Sequence, residues 1–187
     1  MRISLSGVTG DSIVDGPGLR LTIFTQGCLH NCPGCHNPQT HDPNGGSWAD
    51  TEDILAAAAE NPLLDGITLS GGDPFLQPVP CLALAEGAHK LGLNVWTYTG
   101  YTWEALWEEN DAEKLALLKE SDVLVDGPFL LAERSLELQF CGSRNQRLID
   151  VKKSLAVGEV VLWEKSKYFS EMFNFLHPSV KIMKYGK

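Results

Sequence analysis

Three of the five cysteines lie close together, in the segment Cys-Leu-His-Asn-Cys-Pro-Gly-Cys at residues 28–35. Thiolates at such short spacings are soft ligands that suit zinc or an iron–sulfur cluster. Cys32 and Cys35 also have the spacing of a dithiol redox pair, and with His36 they match the attachment motif of c-type haem. The redox pair leaves Cys28 without a role. Haem attachment belongs to exported proteins, whereas the N-terminus does not look like a signal peptide.

Zinc and an iron–sulfur cluster make different demands on these thiols. Structural zinc usually joins two separated ligand pairs, and the chain has no second pair, although His30, His36 or His41 could complete a set. A cubane cluster normally takes four protein ligands, so three cysteines would leave one iron open to another molecule. The pattern favours a cluster with an open iron. A structural zinc-binding interaction module is the alternative from a different class.

The loop that carries the cysteines must be positioned by strands and helices that alternate along the chain. Predicted strands cover residues 19–25, 66–70, 93–99 and 123–126. One helix is predicted to follow a capping-box pattern at 47–50 and to end at 60, and further helices cover 78–91, 102–109 and 112–119. This alternation predicts parallel strands with right-handed helical crossovers. Beyond it, alternating Leu136, Leu138 and Phe140 indicate one more strand.

Unusual loops follow the carboxyl ends of the predicted strands, where parallel α/β folds bind their ligands. The cysteine loop, residues 28–37, follows the first strand, and Gly71-Gly72-Asp73 follows the second. Thr99 and Asp126 lie at the ends of the third and fourth strands. We expect these four segments to meet at one rim of the sheet.

Length and charge narrow the class of protein further. The 187 residues allow one domain but not a complete eight-fold β/α barrel, which usually needs about 250. No apolar run approaches the ~18 to 20 residues of a membrane span. Because the N-terminus does not look like a signal peptide, the expected compartment is the cytoplasm, where thiols stay reduced. The net charge of −9 argues against general nucleic-acid binding. It divides into −13 for residues 1–130 and +4 for residues 131–187, so the basic end is a candidate for docking or anion binding.

In their order and spacing, the motifs resemble those of the radical S-adenosylmethionine enzymes. The Cys-x-x-x-Cys-x-x-Cys pattern is similar to the signature of that superfamily, and Gly71-Gly72-Asp73 is similar to its Gly-Gly-Glu. Residues 15–20, Asp-Gly-Pro-Gly-Leu-Arg, resemble a segment of the glycyl-radical-activating enzymes. Residues 32–38, 97–101, 125–129 and 142–147 resemble blocks of the enzymes that activate anaerobic (class III) ribonucleotide reductase. One departure is Cys141, which stands where that family often has arginine.

The resemblance covers about residues 3–152 and implies a single domain over residues 1–187, with a C-terminal extension from residue 153. The implied fold is α/β, a partial, open (β/α) barrel of about five to six mostly parallel strands. Cys28, Cys32 and Cys35 would ligate a [4Fe–4S] cluster, and its open iron would bind S-adenosyl-L-methionine.

The same resemblance implies the other site residues. Gly72 and Asp73 would face the methionine amine, and Thr99 and Asp126 are candidates for the ribose or carboxylate side of the cofactor. The residues expected around the cofactor are Gly34, His36, Asn37, Gly71, Gly72, Asp73, Thr99 and Asp126. The residues expected to meet a partner protein are Asp15, Gly16, Gly18, Arg144 and Arg147.

The implied activity is that of an oxidoreductase whose substrate is a protein. Reductive cleavage of S-adenosylmethionine would give methionine and a 5′-deoxyadenosyl radical. That radical would remove a hydrogen atom from a glycine of the partner, the catalytic subunit of anaerobic ribonucleoside-triphosphate reductase. The expected electron donor is a flavodoxin or ferredoxin, and neither nucleic acid nor membrane is expected as a partner. The nearest alternative is an activator of another glycyl-radical enzyme such as pyruvate formate-lyase.

Overall fold

The computed structural model describes residues 1–164, and in that part of the chain seven strands form one sheet. The strands are β1 (Arg2–Ser12), β2 (Arg20–Thr25), β3 (Ser47–Asp50), β4 (Gly66–Gly71), β5 (Asn94–Tyr98), β6 (Val123–Asp126) and β7 (Arg147–Asp150). The helices are α1 (Thr51–Glu60), α2 (Pro78–Lys90), α3 (Trp103–Glu109), α4 (Ala112–Glu120) and α5 (Val151–Val157). No helix in the described range is long and apolar enough to cross a membrane. The predicted C-terminal extension lies outside the described residues from position 165 onward.

The order across the sheet is β3-β1-β2-β4-β5-β6-β7. Strands β2, β4, β5 and β6 run parallel, and they are the four strands that the alternating pattern predicted. Strands β1 and β7 flank them in antiparallel pairing, and β3 pairs with the outer edge of β1. Residues 1–164 thus form an open sheet of seven strands rather than five to six.

Two local predictions were wrong, because strand pairing over long sequence separations decided the structure at both places. Residues 47–50 were expected to begin a helix, but they form β3 and pair with residues 2–5 of β1. Helix α1 begins directly afterwards, with Asp50 at its N-cap position, and ends at Glu60 as predicted. Leu136, Leu138 and Phe140 were expected to form a strand, but they belong to no ladder, and β7 takes the edge of β6.

Side chains of the parallel strands alternate between two different faces of the sheet. Leu21, Ile23 and Leu69 lie in one buried core with apolar residues of α1, α2 and α4. Each such fully buried side chain contributes about 1.5–3 kcal/mol relative to exposure, which holds the helices on this face. Phe24 and Ser70, the alternate residues of β2 and β4, line a cavity on the other face. The helices therefore cover one side of the sheet, and the cavity lies on the other.

The segment before β2 wraps around a buried arginine. The guanidinium of Arg20 is fully buried, and it donates from Nε to Thr68 Oγ1 at 2.6 Å and from Nη1 to Asn94 Oδ1 at 2.8 Å. A Cβ on Gly16 would lie 2.7 Å from Arg20 Cδ, and Gly18 has a left-handed φ of +75°. The two glycines predicted to meet a partner therefore also support the start of the first parallel strand.

His89, near the end of α2, ties that helix to the start of β6. Both of its ring nitrogens face carboxylates, with Nδ1 at 2.7 Å from Glu120 Oε1 and Nε2 at 2.9 Å from Asp122 Oδ2. Carboxylates only accept hydrogen bonds, so the ring is protonated when both bonds form. Burial lowers the pKa of His89, but the hydrogen bonds and charges of Asp122 and Glu120 outweigh burial and raise it above the usual value.

We expect His89→Leu to lower the free energy of unfolding by about 1 kcal/mol near pH 5.5, since partly exposed ion pairs contribute up to about that much. A raised pKa in the folded state stabilises the fold fully below the unfolded value of about 6.5 and no longer does so above the folded pKa. The difference between variant and wild type should therefore shrink toward pH 9. Urea unfolding at both pH values measures it, and an equal difference at the two would contradict the charged pair.

Candidate functional site

One cavity of about 640 Å³ lies between the cysteine loop and the uncovered face of the sheet. The cysteine loop contributes one part of its wall, and the carboxyl ends of β4, β5 and β6 contribute another. The end of β1 and the segment after it, Phe129 and several residues within 138–146 also line it. The site residues predicted from the sequence that line this cavity are Asp15, Cys28, Cys32, Cys35, His36, Asn37, Gly71, Gly72 and Thr99.

The two later cysteines are joined by a tight turn. The backbone N–H of Cys35 donates to the carbonyl of Cys32 at 3.1 Å. Proline at the second position of such a turn and a residue with positive φ at the third are the usual requirement, and Gly34 has a φ of +75°. The N–H of Asn37 donates to Cys35 Sγ at 3.4 Å. Gly34 itself does not line the cavity, so its part in the site is to let the loop turn.

All three thiols of the loop are free and partly exposed. Burial raises the pKa of Cys28, a backbone hydrogen bond from His30 opposes it, and the nearby charge of Asp73 adds to the rise. Within residues 1–164 no three Cys, His, Asp or Glu side chains are grouped tightly enough for a single metal ion. What the structure contributes is therefore a shared cavity wall on which the three soft donors lie.

Gly71 and Gly72 bring the end of β4 against the start of the cysteine loop. Gly71 has a φ of +97°, and a Cβ there would lie 2.6 Å from Phe24 Cα. A Cβ on Gly72 would lie 2.2 Å from the carbonyl oxygen of Gly27. That same oxygen accepts a hydrogen bond from the N–H of Asp73 at 2.8 Å. Only glycine permits this approach of two backbones.

Asp73 lies behind the cavity wall rather than on it. Its carboxylate accepts hydrogen bonds from the N–H groups of Phe75 at 2.9 Å and Gly100 at 3.0 Å and from the hydroxyl of Thr99 at 2.9 Å. The same carboxylate lies 2.6 Å from Nε2 of His30. The residue is 2% exposed, so its contacts are with the protein, whereas the sequence predicted a contact with the cofactor amine.

Asp126 and Arg147, which were expected to contact the cofactor and the partner protein respectively, lie against each other. The antiparallel register of β6 and β7 sets Asp126 opposite Arg147. The guanidinium donates from Nε at 3.0 Å and also from Nη2 to the Asp126 carboxylate, and a second pair forms with Glu104. Hydrogen bonds from Arg147 lower the pKa of Glu104. The Asp126 carboxylate also accepts a hydrogen bond from the backbone N–H of Trp103 at 2.8 Å. Asp126 does not line the cavity, and the next residue, Gly127, does.

The other residues expected to meet a partner have different surroundings. Asp15 lines the cavity and accepts hydrogen bonds from the hydroxyls of Ser12 at 2.5 Å and Thr22 at 3.0 Å. The side chain of Arg144 is exposed and reaches Ser135 Oγ at 3.5 Å. Of the two predicted arginines, Arg144 is thus the exposed one.

The sequence did not point to several residues of the cavity wall. His30 was considered only as a zinc ligand, yet it lines the cavity and pairs with Asp73. Tyr98 lies on the cavity face of β5, where burial raises its pKa, and its place in the strand alternation is the signal that could have identified it. Cys141 also lines the cavity, and burial raises the pKa of its thiol to about 11.

Several known proteins are similar to this chain in sequence. A family described as a 4Fe-4S single cluster domain matches residues 14–149. An anaerobic ribonucleoside-triphosphate reductase-activating protein of Salmonella typhi is 39% identical over 142 residues, covering 72% of this chain and 90% of the relative. The protein of the same name from Escherichia coli (strain K12) is 37% identical over 142 residues, which cover 72% of this chain and 90% of the relative. The one from Enterobacteria phage T4 is 34% identical over 143 residues, which cover 72% of this chain and 86% of the relative.

A solved structure is also similar, the crystal structure of QueE from Escherichia coli. It has a TM-score of 0.45 and 19% sequence identity, and the similarity covers 55% of this chain and 54% of that chain.

The fold and the matched residues define the class: this is an α/β protein with a 4Fe–4S single cluster domain. Within that class, the chain belongs to the family of the anaerobic ribonucleoside-triphosphate reductase-activating proteins. The family resemblance that the sequence motifs indicated is therefore confirmed.

We expect Gly72→Ala to lower the free energy of unfolding by about 1–3 kcal/mol, the usual cost of forcing extra atoms into a packed site. The physical reason is the 2.2 Å distance between the added Cβ and the Gly27 carbonyl oxygen. Gly10→Ala is the matched control, because no atom lies within 4 Å of a Cβ at that position. Urea unfolding compares the two variants. Equal losses of unfolding free energy would show that the added Cβ at position 72 is accommodated without strain.

Proposed function

We propose that this protein activates an anaerobic ribonucleoside-triphosphate reductase by forming a glycyl radical on it. The observation that carries the proposal is a single cavity wall shared by three free thiols and by the side-chain-free end of β4, in a chain of the activating-protein family. The chain would use a [4Fe–4S] cluster and S-adenosyl-L-methionine. Together these would supply the one-electron reductive cleavage of S-adenosylmethionine, which gives methionine and a 5′-deoxyadenosyl radical. That radical would take a hydrogen atom from a glycine of the reductase.

The donor set fits a cluster with one open iron. Cys28, Cys32 and Cys35 are soft ligands from one loop, each is partly exposed, and all three line the same cavity. A cubane cluster normally takes four protein ligands, so three thiolates leave one position for an exogenous molecule. These cysteines would hold the cluster. The N–H of Asn37, which donates to the sulfur of Cys35, would tune its potential.

The opposite wall suits the amino-acid end of S-adenosylmethionine. Gly71 and Gly72 line the cavity without side chains, so a bound molecule could approach their backbone closely. Thr99 also lines the cavity, and the hydrogen bond from its hydroxyl to Asp73 fixes the orientation of its side chain. In this proposal Asp73 acts through Thr99 and the loop rather than at the cavity surface.

The width of the site supports a macromolecular substrate. The cavity extends from the cysteine loop along the uncovered face of the sheet to Ser12 and Asp15. Val14 lines it and is 72% exposed, and neighbouring Ile13 is equally exposed. An extended backbone segment with a glycine could reach such a cavity, and a glycine has no side chain to block the approach of the radical.

We expect anaerobic reconstitution to load about four irons on each wild-type chain and Cys28→Ala to abolish this loading, because the variant removes one of three ligands. The reduced cluster should give an EPR signal that changes when S-adenosylmethionine is added, with 5′-deoxyadenosine as a product. Cys81→Ala is the matched control, since its thiol is fully buried in the core and away from the cavity wall. Loading that survives Cys28→Ala, or zinc at one per chain without iron, would overturn the cluster assignment.

We expect the reconstituted protein to generate a glycyl-radical EPR signal on anaerobic ribonucleotide reductase. A pyruvate formate-lyase-type enzyme, incubated under the same conditions, should give no such signal. Substituting the acceptor glycine of the reductase by alanine should remove the signal while leaving cluster loading unchanged. A radical that forms only on the pyruvate formate-lyase-type enzyme would reject the reductase as the substrate and would favour the other activator.

A further inference from the structure

A histidine in the middle of the cysteine loop is paired with a buried carboxylate. His30 lies between Cys28 and Cys32, and its Nε2 is 2.6 Å from Oδ2 of Asp73. The side chain of His30 is 19% exposed and that of Asp73 is 3% exposed. An ionised carboxylate at such burial is costly unless hydrogen bonds satisfy it, so the partners of Asp73 are strongly held in place.

The carboxylate of Asp73 joins three separate segments at one point. Thr99 donates its hydroxyl at 2.9 Å and Gly100 donates its N–H at 3.0 Å, which ties in the end of β5. Asp73 itself directly follows the Gly71-Gly72 end of β4. His30 is the contact through which the cysteine loop reaches this carboxylate.

The imidazole of His30 is also held sterically. Its ring meets the Tyr101 ring edge-on, with centroids 4.7 Å apart. A Cβ on Gly100 would lie 2.4 Å from His30 Cδ2, so a side chain at position 100 would displace the ring. The same histidine lies two residues after Cys28 in the loop. The contacts of this ring therefore hold the loop at a position close to Cys28.

We propose that the His30–Asp73 pair fixes the cysteine loop onto the ends of β4 and β5 before any cluster binds. His30 is then a positioning residue for Cys28. Its effect on a bound cluster rests on the proposed function, but its effect on the loop does not.

The first test measures the loop in metal-free protein. His30→Leu removes the hydrogen bond to Asp73, and Gly100→Ala displaces the ring while keeping every hydrogen-bonding group. Hydrogen bonds to charged groups contribute enough to change an equilibrium about tenfold or more. We therefore expect both variants to raise the rate at which iodoacetamide alkylates Cys28, Cys32 and Cys35 by about tenfold, measured by mass spectrometry. His30→Gln, which keeps an N–H donor of similar reach, should restore a rate near that of wild type.

Two control variants separate a local effect from general destabilisation. Gly10→Ala matches Gly100→Ala in chemistry, but no atom lies within 4 Å of its added Cβ. His89→Leu matches His30→Leu, because His89 also pairs with carboxylates but does not line the cavity. Neither control should change the alkylation rates of the loop. Cys81, which is 0% exposed in the core, reports global unfolding if it too becomes labelled.

The second test measures the reconstituted cluster. A loop released from Asp73 would hold the Asn37 N–H donor to Cys35 less firmly. Weakening such a donor destabilises the more negative, reduced form of the cluster, so the midpoint potential of His30→Leu and Gly100→Ala should move to more negative values. A redox titration followed by EPR gives this potential without the reductase.

Unchanged alkylation in both folded variants would overturn the proposal, and so would labelling of Cys81 in both, since the pair would then hold the whole fold. A protein that never loads iron would defeat the proposed function but leave the alkylation result valid.

Discussion

Helices cover only one face of the parallel strands in residues 1–164, and the geometry of the site follows from the face that they leave open. The alternation within β2 sends Leu21 and Ile23 into the core under the helices. The alternate side chains, Phe24 among them, face the cavity. Parallel sheets usually have both faces covered. Because this one does not, the loops at the carboxyl ends of its strands can fold over an accessible space.

Two buried carboxylates organise those loops. Asp73 lies just after β4 and is 2% exposed, and Asp126 is the last residue of β6 and is 1% exposed. Burying a charge is costly unless it is paired and hydrogen-bonded, so each carboxylate requires its own set of donors. Asp73 takes the donors of the cysteine loop and of the end of β5, whereas Asp126 takes the guanidinium of Arg147. These two carboxylates thus act behind the wall, whereas the three cysteines of the loop and Gly71 and Gly72 are among the residues that line it.

Much of the fold could be predicted from the sequence. Each of the four parallel strands, and each helix between them, has its own local pattern of apolar residues and of the residues that begin and end it. The errors lie where a strand depends on a distant partner. Residues 47–50 have the composition of a helix start, yet pairing with β1 makes them a strand. Leu136, Leu138 and Phe140 alternate as a strand does, yet β7 occupies the edge of β6 that they would need.

At the site, the sequence by itself determined the chemical groups: three thiols in one loop, and two glycines where backbones must approach closely. These depend on residue type and local spacing, which a sequence states directly. Tertiary structure alone decided which polar side chains reach the cavity. The register of β6 and β7 joins Asp126 to Arg147, and the meeting of three loops turns Asp73 toward His30. Pairing between charges depends on which strands are neighbours, and that is set by the packing of the whole sheet.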